Sequence, residues 1–264
     1  MHHFARPKKE EIMNTETKEA LAKVPAVTFG FWMIKIIATT LGETGGNAVS
    51  RTLDLGYFVG SLIFLAPLIL VVGAQIKAKG FHPFLYWGAI ALTTLIGTTL
   101  ADFFTRSIGI GYAGGSIVLF SFVLLTLGLW YWTLGSIDIK TVVAPKVELF
   151  YWTTIMFSQT LGTALGDWLA DDLFGYNGSA VLIAGVLGAL AVLYYFTKAS
   201  RVAIFWAAFI LTRPLGATLA NSLDKPVADG GLAMNDITIT VVLGIGMIFL
   251  LFFLPHRACE LGKH

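Results

Sequence analysis

The sequence predicts an all-α integral membrane protein with eight transmembrane helices, built as four parallel two-helix repeats. Three observations lead there. The 264 residues are 56% hydrophobic and 13% charged, with mean hydropathy +0.76, whereas soluble domains average about a quarter charged. Apolar stretches of roughly twenty residues recur, the length an α-helix needs to cross about 30 Å of hydrocarbon. A motif, Trp-x9-Gly-x4-[Asn/Asp], also appears four times at one register.

Residues 1–25 are polar and of mixed charge, with no apolar h-region, so they read as a cytoplasmic arm rather than a cleavable signal. Residues 26–257 form a single membrane domain, and 258–264 a short tail. The eight spans fall at about 28–48, 56–76, 83–103, 113–133, 147–168, 178–197, 201–221 and 237–255. The odd-numbered spans carry polar groups in their outer halves. The even-numbered spans carry no charge inside and read as scaffold or lipid-facing wall. Loops on one side, with the termini, hold thirteen basic residues, Lys79, Lys140 and Lys198 among them; the other side holds only Arg51, Arg106 and Lys225. The positive-inside rule therefore puts both termini in the cytoplasm.

The repeats span 28–79, 83–137, 147–199 and 201–256. Trp32, Trp87, Trp152 and Trp206 each precede Gly42, Gly97, Gly162 and Gly216 by ten residues, and Asn47, Asp102, Asp167 and Asn221 follow five beyond. A Gly-Tyr or Gly-Gly pair then leads into the second helix: Gly56-Tyr57, Gly111-Tyr112, Gly175-Tyr176 and Gly230-Gly231. Because each copy contributes two spans, all copies face the same way, unlike the inverted repeats of many secondary transporters. Four parallel hairpins suggest pseudo-fourfold or nested twofold packing, with the first helices around a shared axis.

Positions four apart share a helix face. Counted from the repeat glycine, steps of −7, −3, +1, +5 and +9 read Lys35, Thr39, Glu43, Asn47, Arg51 in the first copy and Ile90, Thr94, Thr98, Asp102, Arg106 in the second. The third gives Ile155, Gln159, Thr163, Asp167, Asp171, and the fourth Phe209, Arg213, Ala217, Asn221, Lys225. Ionisable groups at membrane depth cost at least about 2.5–3.5 kcal/mol each, so they should face inward and pair. Glu43 is expected to pair with Arg213 or Lys35, and Asp102 with Arg106. Asp171 and Asp172 read as solvated loop charges, the glycines as close-packing points, and the tryptophans as interface anchors. Pro214 should kink its helix.

All five histidines (His2, His3, His82, His256 and His264) lie outside the spans, and the one cysteine is Cys259. This argues against intramembrane bis-histidine haem, a histidine-zinc hydrolase or a Ser-His protease; the chain is not expected to be an enzyme. What remains inside is oxygen, which suits hard cations such as Mg²⁺, Ca²⁺ and Mn²⁺ or a proton relay. The expected metal ligands are Glu43, Asn47, Asp102 and Asp167. Lys35, Thr39, Thr98, Gln159, Thr163, Arg213 and Asn221 are expected to serve in transport or pairing.

The segments "IIATTLGETGGNAVS", "TTLIGTTLADFF", "SQTLGTALGDWLAD" and "LTRPLGATLANSLDKP" resemble a bacterial multispanning membrane-protein family defined by a short repeat of unknown function, with a Gly-Glu-Thr signature. The resemblance covers Lys23 to Pro255. It implies a repeated membrane fold in a bacterial inner membrane and brings no assigned activity. A looser likeness links Glu43-Thr-Gly-Gly-Asn47 and Gly166-Asp167 to cation/proton exchangers with Glu-x-Gly-Asp repeats.

The expected function is a transporter or exchanger for a small inorganic cation, with proton coupling as an option. A small-solute pore along the repeat axis and a non-transport assembly or sensory component are the alternatives. The expected partners are the lipid bilayer, a small inorganic ion and, as an open option, a second copy of the chain; nucleic acid is not among them. No cofactor is expected beyond a bound divalent cation.

Overall fold

The computed structural model describes residues 23–259. Expectations for the arm before Lys23 and the tail after Cys259 lie outside the described residues. Within them the chain is all-helical, with one isolated antiparallel bridge, Pro25 to Ala258, tying the two described ends together. Eight α-helices follow one another: α1 (Phe29–Asn47), α2 (Tyr57–Lys77), α3 (Pro83–Asp102), α4 (Gly111–Leu134), α5 (Pro145–Asp167), α6 (Gly175–Phe196), α7 (Arg201–Asp224) and α8 (Asp236–Phe253).

Six helical segments are long and apolar enough to cross a membrane, against the eight expected. The difference has two sources. Helix α1 is not among them, since Lys35, Glu43 and a run of threonines and glycines dilute its apolar character. Helices α5 and α6 count as one segment, Pro145–Phe196, because a π-helical turn joins them without a gap.

The odd-numbered helices close into a ring. Helix α1 packs on α3, α3 on α5, α5 on α7, and α7 back on α1. The even-numbered helices sit outside, each against the odd helix that follows: α2 on α3, α4 on α5, α6 on α7, and α8 on α1. Their outward faces are apolar and exposed, as at Ile69, Leu70, Trp132, Phe196 and Phe252. In a bilayer a side chain there would gain nothing by leaving hydrocarbon, so it would need no cover.

The repeat glycines set the ring's diameter. A Cβ on Gly42 would overlap Thr94; on Gly97, Gln159; on Gly162, Arg213; and on Gly216, Thr39. Each glycine thus receives the −3 residue of the next copy, and the fourth copy closes on the first. Threonine suits these crossings, because its hydroxyl can bond a carbonyl of its own or a facing helix. Thr94 Oγ1 donates to Ala38 O at 3.0 Å, Thr98 Oγ1 to Gly42 O at 2.9 Å, and Thr39 Oγ1 to Thr212 O at 3.3 Å.

Helices α1, α3 and α5 end at the +5 residue and continue as π turns: Ala48–Thr52, Phe103–Ser107 and Trp168–Phe174. Glycine then allows the reversal into the even helix, with φ of 74° at Gly56, 75° at Gly111 and 67° at Gly175. A residue with a Cβ would be strained there. The fourth copy lacks the π turn, and α7 runs through Pro214 to Asp224 as one helix.

Three of the four repeat tryptophans correct the sequence reading. Trp87, Trp152 and Trp206 are 1%, 5% and 3% exposed, and they pack with Phe31, Tyr86, Tyr151, Trp130 and Phe209 into the main core. They plug the inner half of the ring rather than anchor it at an interface. Tyr86 and Tyr151 join hydroxyls at 2.6 Å inside that core. Beside it, Lys23 pairs with Glu148 at 2.6 Å, both nearly fully buried, so Lys23 is not a solvated charge of the arm.

Candidate functional site

Because the ring is regular, residues at one repeat position form one layer about its axis. The −7 layer holds Lys35, Ile90, Ile155 and Phe209, all fully or almost fully buried. The next layer outward holds Thr39, Thr94, Gln159 and Arg213; then Glu43, Thr98, Thr163 and Ala217; then Asn47, Asp102, Asp167 and Asn221. Every residue of these three layers is nearly or wholly inaccessible.

The Glu43 layer is sealed by Arg213. Its Nη2 reaches Glu43 Oε2 at 2.9 Å, Thr98 Oγ1 at 2.6 Å and Thr163 Oγ1 at 2.5 Å. Nη1 donates to Thr39 O at 3.4 Å. One side chain from the fourth copy therefore occupies the axis and binds the +1 residues of the other three. Of the two partners offered for Glu43, the structure supplies Arg213. Lys35 lies two turns deeper, its Nζ 3.9 Å from the centroid of the Phe209 ring. Glu43 is thereby engaged by a guanidinium and set one layer below Asn47, Asp102 and Asp167.

The outer layer combines two carboxylates and two carboxamides. Asn221 Nδ2 donates to Asp167 Oδ1 at 3.3 Å, while Asn47 Oδ1 has no hydrogen-bond partner among the described residues. Arg106 closes this layer from outside: Nε meets Asp102 Oδ1 at 2.7 Å, and Nη2 meets Asp167 Oδ2 at 3.3 Å and Asp171 Oδ2 at 3.7 Å. Arg51 Nη2 stands 3.7 Å from Asp102 Oδ2. Burial opposes the Arg51 charge most strongly, but Asp102 and Tyr57 together hold the guanidinium above its ordinary pKa. Asp171, expected as a solvated loop charge, belongs to this cluster and accepts from Tyr112 at 3.0 Å.

Among the described residues no three His, Cys, Asp or Glu side chains are grouped as a metal site. Of the expected ligands, Asp102 and Asp167 are joined through Arg106, with Asn221 bonded to Asp167; Glu43 is bound by Arg213, and Asn47 shares their repeat position without a bond to any of them. Sequence reasoning missed a second-ring contribution to this end of the molecule. Ser61 on α2 donates to Thr99 at 2.8 Å, and Thr240 on α8 to Thr44 at 2.9 Å. The Gly-Ser pairs at Gly60-Ser61, Gly115-Ser116 and Gly178-Ser179 were the available signal.

This geometry defines a class: an all-α, internally repeated protein with membrane-type apolar helices around a polar, ion-paired axis. The chain belongs to the family described as Repeat of Unknown Function (DUF347), which matches at residues 30–81, 85–136 and 150–200. Those stretches coincide with the first three hairpins. Neither a curated protein nor a solved structure matches the chain.

Proposed function

We propose that the protein is a multi-pass transporter or exchanger of a small inorganic cation in a bacterial inner membrane, with all eight helices crossing and both termini cytoplasmic. The observation that carries the reading is the outer layer of Asn47, Asp102, Asp167 and Asn221, closed by Arg106. Two buried carboxylates on one axis repel, and a buried charge left uncompensated costs several kcal/mol. Arg106 compensates them as a tethered cation, and a hard cation coordinated by oxygen would compensate them as well. Cargo and Arg106 then compete for the same carboxylates. When cargo binds, Arg106 withdraws toward Tyr112, over whose ring it already sits 5.1 Å from the centroid. Proton coupling follows if the displaced charge balance is made up by protonating Asp102 or Asp167.

The axis favours a gated transporter over a standing pore. Arg213 fills it at the Glu43 layer, and an aromatic core closes its far end, beyond the Lys35–Gln159 level. Cargo cannot pass the first without breaking the Glu43–Arg213 pair.

The test is uptake of Mn²⁺, Ca²⁺ or Mg²⁺ by proteoliposomes under an imposed pH gradient. Wild type should transport at a gradient-dependent rate. The Asp102→Asn, Asp167→Asn double variant should be at least tenfold slower, and Asp54→Asn, in an exposed loop, should match wild type. Gradient-independent passage of uncharged solutes would favour the pore, and no flux of any kind would favour an assembly or sensory component.

A further inference from the structure

The inner half of the ring contains charge and hydrogen-bonding capacity that the outer site does not use. Lys35 Nζ is fully buried and has no hydrogen-bond partner among the described residues. One layer outward, Gln159 is fully buried with both amide atoms unpartnered, and Arg213 Nε is unpartnered as well. Arg213 lies within electrostatic reach of Lys35. Of these two cations only Arg213 has a carboxylate partner among the described residues, Glu43, one layer further from Lys35. Glu148, the other acid in this half, is already taken by Lys23.

An unpartnered buried ammonium costs several kcal/mol, and unmet amide and guanidinium donors add about 1–3 kcal/mol each. Loss of the lysine proton would remove the charge and leave the Gln159 and Arg213 donors unmet. One negative charge placed between them answers all three. We infer that the Lys35–Gln159 level of the axis binds a small monovalent anion, with Lys35 Nζ, Gln159 Nε2 and Arg213 Nε as its donors.

The walls set the selectivity. Ile90, Ile155 and Phe209 are at most 1% exposed and offer no hydrogen bonds, so an ion that holds its water tightly loses more on entry than these donors return. Iodide and nitrate should bind best, chloride less well, fluoride and sulfate hardly at all. Lys35 now rests on the face of Phe209. A cation–π contact of this kind is worth a few kcal/mol at most, so the ammonium can leave it for an anion by a change of rotamer.

Tryptophan fluorescence reports on the site, because Trp206 stacks edge-on against Phe209 with centroids 5.9 Å apart. The experiment titrates sodium iodide into the full-length protein in nanodiscs, with sodium held constant by gluconate, an anion too large to enter. Wild type should show saturable quenching, displaced by nitrate and not by sulfate. Lys35→Met should raise the half-saturating concentration at least tenfold, and Gln159→Leu at least threefold. Where Lys35→Met does not fold, Gln159→Leu decides alone. Linear, unsaturable quenching of wild type overturns the inference, as does saturable quenching that both variants leave unchanged. No gradient or flux enters the measurement, so its outcome is independent of the transport reading.

Discussion

Removing one partner of the Glu43–Arg213 pair should be far worse than removing both. Arg213 is wholly buried and holds Glu43 at 2.9 Å, with Thr98 and Thr163 on the same nitrogen. Arg213→Met keeps most of the side-chain volume and leaves the Glu43 carboxylate without a counter-charge; breaking a buried pair this way costs about 3–5 kcal/mol. Glu43→Gln leaves the guanidinium unpaired and should cost a similar amount. In the double variant no charge remains stranded. The Thr98 hydroxyl keeps its bonds to the carbonyls of Gly42 and Thr94, and Thr163, which bonds Glu43 and Arg213 in the wild type, can turn to the glutamine amide introduced at position 43, so the double variant should recover most of the loss. For a chain of this size, 1 kcal/mol moves the melting temperature by roughly 2–4 °C. Each single variant should therefore melt on the order of 10 °C lower in detergent, and the double variant within about 5 °C of wild type. Intrinsic fluorescence gives the melting curve. Additive losses in the double variant would show that the two charges do not compensate each other, and the sealed axis would fall with that result.

Two further outcomes follow from the ring. Gly216→Ala should destabilise by about 1–3 kcal/mol, because its Cβ would overlap Thr39 down to the backbone carbon, and overpacking of this kind has that cost; Gly73→Ala, which meets nothing within 4 Å, should be neutral or mildly stabilising by thermal melt. Single cysteines at Lys79 and Lys140, made in a Cys259→Ala background, should react with an impermeant maleimide only from the cytoplasmic face, and one at Asp54 only from the other; labelling of Lys79 and Lys140 from opposite faces would break the parallel-repeat arrangement.

The repeat, the helix order and the polar rows were readable because each depends on spacing along one chain. Gly42, Gly97, Gly162 and Gly216 announced close packing, and the steps of four placed Glu43, Thr98, Thr163 and Ala217 in one layer. What spacing cannot supply is the neighbour. That Gly42 receives Thr94, and Gly216 receives Thr39, is fixed by how four helices close on each other. The choice between Lys35 and Arg213 for Glu43 turns on reach. Lys35 is eight residues away on the same helix, a rise of about 12 Å, beyond an extended lysine. Arg213 starts one layer below Glu43 and spans the gap. The π turns after Asn47, Asp102 and Asp167 left no mark in the hydrophobic pattern, since a single wide turn shifts the register by one residue only. The tryptophans misled because burial in an aromatic core and residence at a lipid interface draw on the same side chain.

The inequality of the copies explains how a fourfold ring becomes a closed, charged axis. Four identical helices would present four identical side chains at every layer, and a ring of like groups leaves either a hole or a repulsion at the centre. Here the −3 layer is Thr, Thr, Gln and Arg, and the +1 layer Glu, Thr, Thr and Ala. The longest side chain of one layer reaches up to the single acid of the next, and Ala217, the smallest residue of the +1 layer, lies on Arg213's own helix one turn further out. Room for the guanidinium is thus made by the copy that supplies it. The same logic repeats outward, where Asp102 and Asp167 sit in the second and third copies, asparagines in the first and fourth, and Arg106 alone spans the two acids. A repeat that had kept its symmetry could pack but could not place one positive charge against one negative charge on its own axis. Divergence at three or four positions per copy suffices, while the glycines that set the diameter stay the same in all four.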